Sequence, residues 1–125
     1  MRAKKRYGQH FLQPVWADKV VSAIDPRPDE VFIEIGPGAG ALTLRLAPRV
    51  RSLTAVELDR DMVALLAPRV PPNTTLVQGD FLAFDLGTLP DAFRVAGNLP
   101  YNASSPILFA LLRAYRAGCG IRMPR

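Results

Sequence analysis

The chain of 125 residues has one cysteine, one histidine and one tryptophan. A lone Cys119 cannot form an internal disulfide, which fits a reducing compartment. With His10 as its sole imidazole, the sequence has no His, Cys and acid cluster at metal-ligand spacing, so no bound metal is expected. It has no apolar run of the roughly 18 residues that a membrane helix needs, and no signal-peptide pattern. A cytoplasmic location and no membrane partner are therefore expected. Negative charge is the scarcer sign. Against 16 Lys and Arg stand 11 Asp and Glu, and the net charge of +5 suits a phosphate-rich partner. Arg2, Lys4, Lys5 and Arg6 concentrate that charge beside Tyr7 and Phe11, although a solvated tail reads the same way.

The residues that are present alternate between helical and strand patterns. Apolar positions at helical spacing over Val15–Ile24 predict a first helix, with Trp16 taken as core. Asp25-Pro26-Arg27-Pro28 stops it. The β-rich run Val31-Phe32-Ile33-Glu34-Ile35 leads into Gly36-Pro37-Gly38-Ala39-Gly40, and Ala41–Ala47 then has helical character. Strand, glycine turn and helix make a nucleotide-binding first βα unit, in which the backbone approaches a ligand closely. With Ala41 in the last position the string also fits a dinucleotide fingerprint, so it leaves the cofactor open. A second strand, Ser52–Val56, closes on Glu57. That acid lies about 20 residues past the turn, where a carboxylate binds ribose hydroxyls; a solvated strand-end charge is the alternative.

Asp59 is a candidate N-cap for the next helix, and Pro71-Pro72-Asn73 ends the connection. Leu76-Val77-Gln78 supplies a third strand ending in Gly79-Asp80. The Asp80 carboxylate can accept from an adenine amine with Phe81 against the base, or it can form an Asx-type turn. A fourth strand through Phe93, Val95 and Ala96 ends in Asn98-Leu99-Pro100-Tyr101. Pro100 fixes its own φ and removes a donor, so nearby carbonyls can face outward beside the Asn98 amide and the Tyr101 ring. Such a set suits a planar base with an exocyclic amine. Acceptors that bind both N–H protons favour a more pyramidal nitrogen, able to attack an electrophilic methyl group. A strand-ending turn with a core Tyr is the competing reading. Four strands that end in polar or glycine residues at one carboxyl edge point to a ligand site.

On these motifs the sequence resembles the bacterial small-subunit ribosomal RNA adenine dimethyltransferases, from about Arg6 to about Tyr115. The resemblance rests on Gly8-Gln9-His10-Phe11-Leu12, Glu34-Ile35-Gly36-Pro37-Gly38, Glu57, Asp80 and Asn98-Leu99-Pro100-Tyr101. It implies a Rossmann-like α/β fold of the class I S-adenosylmethionine-dependent methyltransferases and N6-dimethylation of adenines in 16S-type ribosomal RNA. It further implies that Gly36 and Gly38 hold the methionine part of S-adenosylmethionine and that Glu57 binds the ribose. Asp80 would bind the adenine, and His10 and Leu12 would close over the donor. Asn98, Leu99 and Pro100 would orient the target amine while Tyr101 stacks on the flipped base. Leu99 and Pro37 favour the small-subunit branch over the large-subunit enzymes.

Family members are much longer, so the expected organisation is incomplete. A basic arm (1–13) precedes a partial methyltransferase domain (14–115), truncated after the fourth strand and its helix. The Gly- and Arg-rich tail (116–125) matches no family motif and would fit a frameshifted or prematurely ended reading frame. Without a fifth strand, Phe93 to Gly97 is expected to form an open apolar edge prone to self-association. An inactive donor- or RNA-binding fragment and a methyltransferase of large-subunit ribosomal RNA or DNA adenine are the alternatives. A nicotinamide oxidoreductase fits only the glycine turn.

Overall fold

Short strand-forming runs separated by helical stretches require a parallel sheet with crossovers, and the chain follows that rule. The computed structural model describes residues 14–90 and 92–97. Expectations for the arm, including His10 and Leu12, for Asn98-Leu99-Pro100-Tyr101 and for the tail lie outside the described residues. The elements are α1 (Pro14–Ile24), β1 (Val31–Ile35), α2 (Thr43–Leu46), β2 (Ser52–Glu57), α3 (Arg60–Leu66), β3 (Thr74–Gln78) and β4 (Arg94–Gly97). All strand pairs are parallel, in the order β3-β2-β1-β4.

β1 is central and buried at all five positions, which explains its apolar run. Alternation sends Phe32 to one face, where it packs with Val21, Leu42, Leu46, Leu53 and Ala96. Val31, Ile33 and Ile35 go to the other, against Val56, Phe81, Leu86 and Phe93. At the amino end of the sheet Arg94 ties three segments together. Its Nη1 lies 3.1 Å from Glu30 Oε1, its Nη2 donates to the Ile24 carbonyl at 2.9 Å, and its guanidinium lies 5.0 Å from the Phe32 ring centroid.

α2 is shorter than the helical run Ala41–Ala47 suggests, whereas α1 and α3 keep the expected lengths. Leu-Ala-Pro-Arg-Val closes both crossover helices, at 46–50 and 66–70, and each Ala-Pro-Arg forms a 3-10 turn. Proline has no N–H to continue the ladder, so the last turn tightens and the chain leaves toward the next strand. α1 stops where expected, with Asp25 at φ 50° and its N–H still donating to the Val21 carbonyl at 3.0 Å.

One core assignment is corrected. Trp16 is 54% exposed, and Lys19 Nζ lies 4.5 Å from its ring centroid. The buried stripe of α1 runs through Ala17 and Val21, with Val20 and Ile24 partly covered, and Trp16 falls to its side. No helix among the described residues is long and apolar enough to cross a membrane.

Candidate functional site

The carboxyl ends of β1, β2 and β3 are held together by one residue. Glu57 is 3% exposed, so the solvated strand-end reading does not hold. Its Oε1 accepts from the Gly38 N–H and its Oε2 from the Asp59 N–H, each at 2.8 Å. The Glu57 carbonyl accepts from the Gly79 N–H at 2.8 Å, which ties β3 to the same point. Meanwhile the Gly36 N–H donates to the Val56 carbonyl at 2.9 Å, continuing the β1–β2 ladder into the turn.

Gly36 and Gly38 have φ of 69° and 56°, a region that L side chains rarely adopt. A Cβ added at Gly36 or at Gly79 would meet no protein atom within 4 Å, so both strand ends open onto free space. That space is what a ligand lying along the carboxyl edge needs. Gly36, Gly38, Glu57 and Asp80 are thus brought to one edge, the last through the Gly79 link.

Asp80 itself is exposed, and its Oδ1 accepts from the Leu82 N–H at 2.9 Å, capping a 3-10 turn over Phe81–Ala83. The Asx geometry is therefore present, and the carboxylate still faces solvent. Phe81 is a correction: it is 5% exposed and its ring stacks on Phe84 at 6.5 Å, so it belongs to the core rather than to an open base platform. Asp59 caps α3 as expected, its Oδ1 accepting from the Asp61 N–H at 2.8 Å. The carboxylates at this edge serve the backbone, and among the described residues no group of His, Cys, Asp and Glu is arranged to hold a metal ion.

Two further residues shape this edge, Glu34 and Gly97, which had no role of their own in the sequence reading. Glu34 is 1% exposed in the middle of an apolar strand, and the Thr43 hydroxyl donates to its Oε1 at 2.6 Å. Burial pushes its carboxyl up to about 7, the Thr43 hydrogen bond opposes this, and the nearby Glu57 adds to the rise. A charged residue inside Val-Phe-Ile-Glu-Ile was the available signal. Gly97, the last residue of β4, is registered with Ile35, and a Cβ there would lie 2.7 Å from the Ile35 carbonyl oxygen. Its signal was a glycine closing an apolar strand directly before Asn98.

Comparison with known proteins agrees with this architecture. A family model described as ribosomal RNA adenine dimethylase matches residues 1–122. Ribosomal RNA small subunit methyltransferase A of Ralstonia nicotianae is 53% identical over 114 residues, covering 88% of this chain and 41% of the relative. The chain thus spans under half the length of that curated relative. A dimethyladenosine transferase from Plasmodium falciparum superposes with a TM-score of 0.72 at 28% identity, over 83% of this chain and 38% of that one. The 23S rRNA methyltransferase ErmE does so equally well, at 0.72 and 28%, over 90% of this chain and 45% of its own. The fold is the Rossmann-like fold of class I S-adenosylmethionine-dependent methyltransferases. A glycine turn fastened by a buried acid to three parallel strand ends, within a match that runs nearly the whole chain, leaves one conclusion: the chain belongs to the ribosomal RNA adenine dimethylase family.

Proposed function

We propose that this chain is the donor-binding part of an S-adenosylmethionine-dependent enzyme that dimethylates adenine N6 in small-subunit ribosomal RNA. The observation that carries the reading is Glu57, whose carboxylate and carbonyl fix the Gly38 and Gly79 amides beside open space at Gly36 and Gly79. S-adenosylmethionine supplies the electrophilic methyl group when bound. Gly36 and Gly38 would receive its methionine part. Glu57, each of whose oxygens accepts from a backbone amide, would bind the ribose hydroxyls. Asp80, facing solvent, would accept from the adenine amine, and His10 and Leu12 would close the arm over the donor.

Asn98 and the Leu99 and Pro100 carbonyls would orient the target amine, with Tyr101 stacked on a base taken out of the RNA. The contribution of these residues is positioning and electrostatic contact with the reacting nitrogen. The net charge of +5 supports an RNA partner, since phosphate contacts dominate such affinity. Likeness to a 23S rRNA methyltransferase keeps a large-subunit substrate as the second reading.

Calorimetric titration with S-adenosylhomocysteine tests the site. Saturable binding is expected, weakened at least about tenfold by Asp80→Ala and lost in Glu57→Ala. A chain folded by circular dichroism that does not bind would overturn the reading. Labelled-methyl transfer to immature small subunits, large subunits or DNA then separates the substrates. Donor binding with no transfer to any of them would mean an inactive donor- or RNA-binding fragment.

A further inference from the structure

Glu34 has no part in the donor contacts above, yet it lies beneath them. The parallel register pairs Glu34 with Ala55 and Ile35 with Val56, so Glu57 falls opposite Gly36. Strand alternation puts Glu34 and Glu57 on the same face of the sheet, the face that carries α2. Both are nearly inaccessible, at 1% and 3% exposure, and Thr43, fully buried, reaches down from α2 to Glu34. Glu34–Thr43 therefore fastens the far side of the turn 36–40, while Glu57–Gly38 fastens the near side. Glu34 thus lies where water cannot solvate a negative charge, with the Thr43 hydroxyl as its donor and Glu57 on the same face adding to the cost of ionising it.

We propose that Glu34 is a positioning residue that carries a proton beneath the donor-free glycine turn and releases it to solvent when the cationic methyl donor binds. The proposal rests on the donor reading above. S-adenosylmethionine carries a sulfonium and an ammonium against one carboxylate, whereas S-adenosylhomocysteine lacks the sulfonium charge. An ionised Glu34 favours the first over the second through the field, without touching either. The group titrates near neutral pH because burial raises it, Thr43 holds it down and Glu57 raises it further. In effect, the site distinguishes donor from spent product by charge.

The test is calorimetry on the full chain with both ligands, in buffers of different ionisation enthalpy, for the parent and for Glu34→Gln. Glutamine keeps an acceptor for the Thr43 hydroxyl but cannot ionise. A carbon-detected NMR titration of the Glu34 carboxyl in the donor-free chain runs beside it. The expected result is proton release on S-adenosylmethionine binding and affinity that rises up to about tenfold per pH unit below the carboxyl's titration. A weaker pH dependence is expected for S-adenosylhomocysteine, and both effects should vanish in Glu34→Gln. Binding without proton release, release that persists in Glu34→Gln, or a carboxyl already ionised at acidic pH overturns the proposal alone. Failure of a folded chain to bind either ligand overturns the donor reading, and this coupling with it.

Discussion

A carboxyl group in the middle of a buried strand must be paired or neutral, because the interior solvates charge poorly. Burial raises the Glu34 carboxyl from 4.5 to about 7, with the Thr43 hydroxyl helping the charged form and Glu57 opposing it. The sign for stability follows directly. Below about pH 4.5 both folded and unfolded chains hold the proton, and the contribution of Glu34 is fully present. As pH rises from there the unfolded chain releases its proton while the folded one keeps it, so stability falls until about pH 7. The total loss is on the order of 3 kcal/mol. Glu34→Gln removes this term, and the titrating groups not coupled to Glu34 cancel between the two proteins. Urea unfolding at several pH values should therefore show the variant gaining on the parent between about pH 4.5 and 7. Two curves that stay parallel across that interval would show that Glu34 ionises normally.

At the scale of elements, the approach of β4 to β1 is set by the absence of a side chain. A Cβ at Gly97 would stand 2.7 Å from the Ile35 carbonyl oxygen, and backbone cannot swing aside as a side-chain tip can. Gly97→Ala must push the end of β4 away from β1 at a cost of about 1–3 kcal/mol. Because Asn98 follows directly, the methyl transfer proposed above should fall more than donor binding does, while a substitution at exposed Gly87 in the preceding loop leaves both near the parent level. Equal losses of binding and transfer in Gly97→Ala would mean that the residue serves stability alone. Other parts of this arrangement were legible from the sequence. Strands announce themselves because β1 is buried on both faces and β2 alternates over Ser52–Ala55, and Asp59 and Asp25 stand where helices must begin and end. The carboxylate of Glu57 was legible by spacing, but not the two backbone amides it fastens. Those depend on which strands lie side by side, and so do the reasons for Gly97 and for Phe81 being enclosed. Trp16 misled because a stripe read from spacing leaves its border undefined, and one step around α1 moves a ring from core to solvent.

For the molecule as a whole, the sheet order β3-β2-β1-β4 leaves β3 and β4 as the outer strands among the described residues. β3 blunts its edge with Thr74, Thr75 and Gln78, whereas β4 presents Val95, Ala96 and Gly97 after a single charge that is already engaged with Glu30. A strand of that composition is a template for another chain. Against this works the net charge of +5, which makes two copies repel. The balance depends on salt, since charges beyond about 10 Å are screened at 0.1 M while backbone pairing is not. Sedimentation velocity at micromolar concentration should show self-association that grows with protein concentration and with added salt. The ribosomal RNA binding proposed above would run the opposite way, because neutralising phosphates releases counterions and affinity falls as salt rises. The two salt responses, opposite in sign, distinguish an edge that pairs from a surface that binds phosphate. A chain that stays monomeric at every salt concentration would mean that the β4 edge does not pair with a second copy.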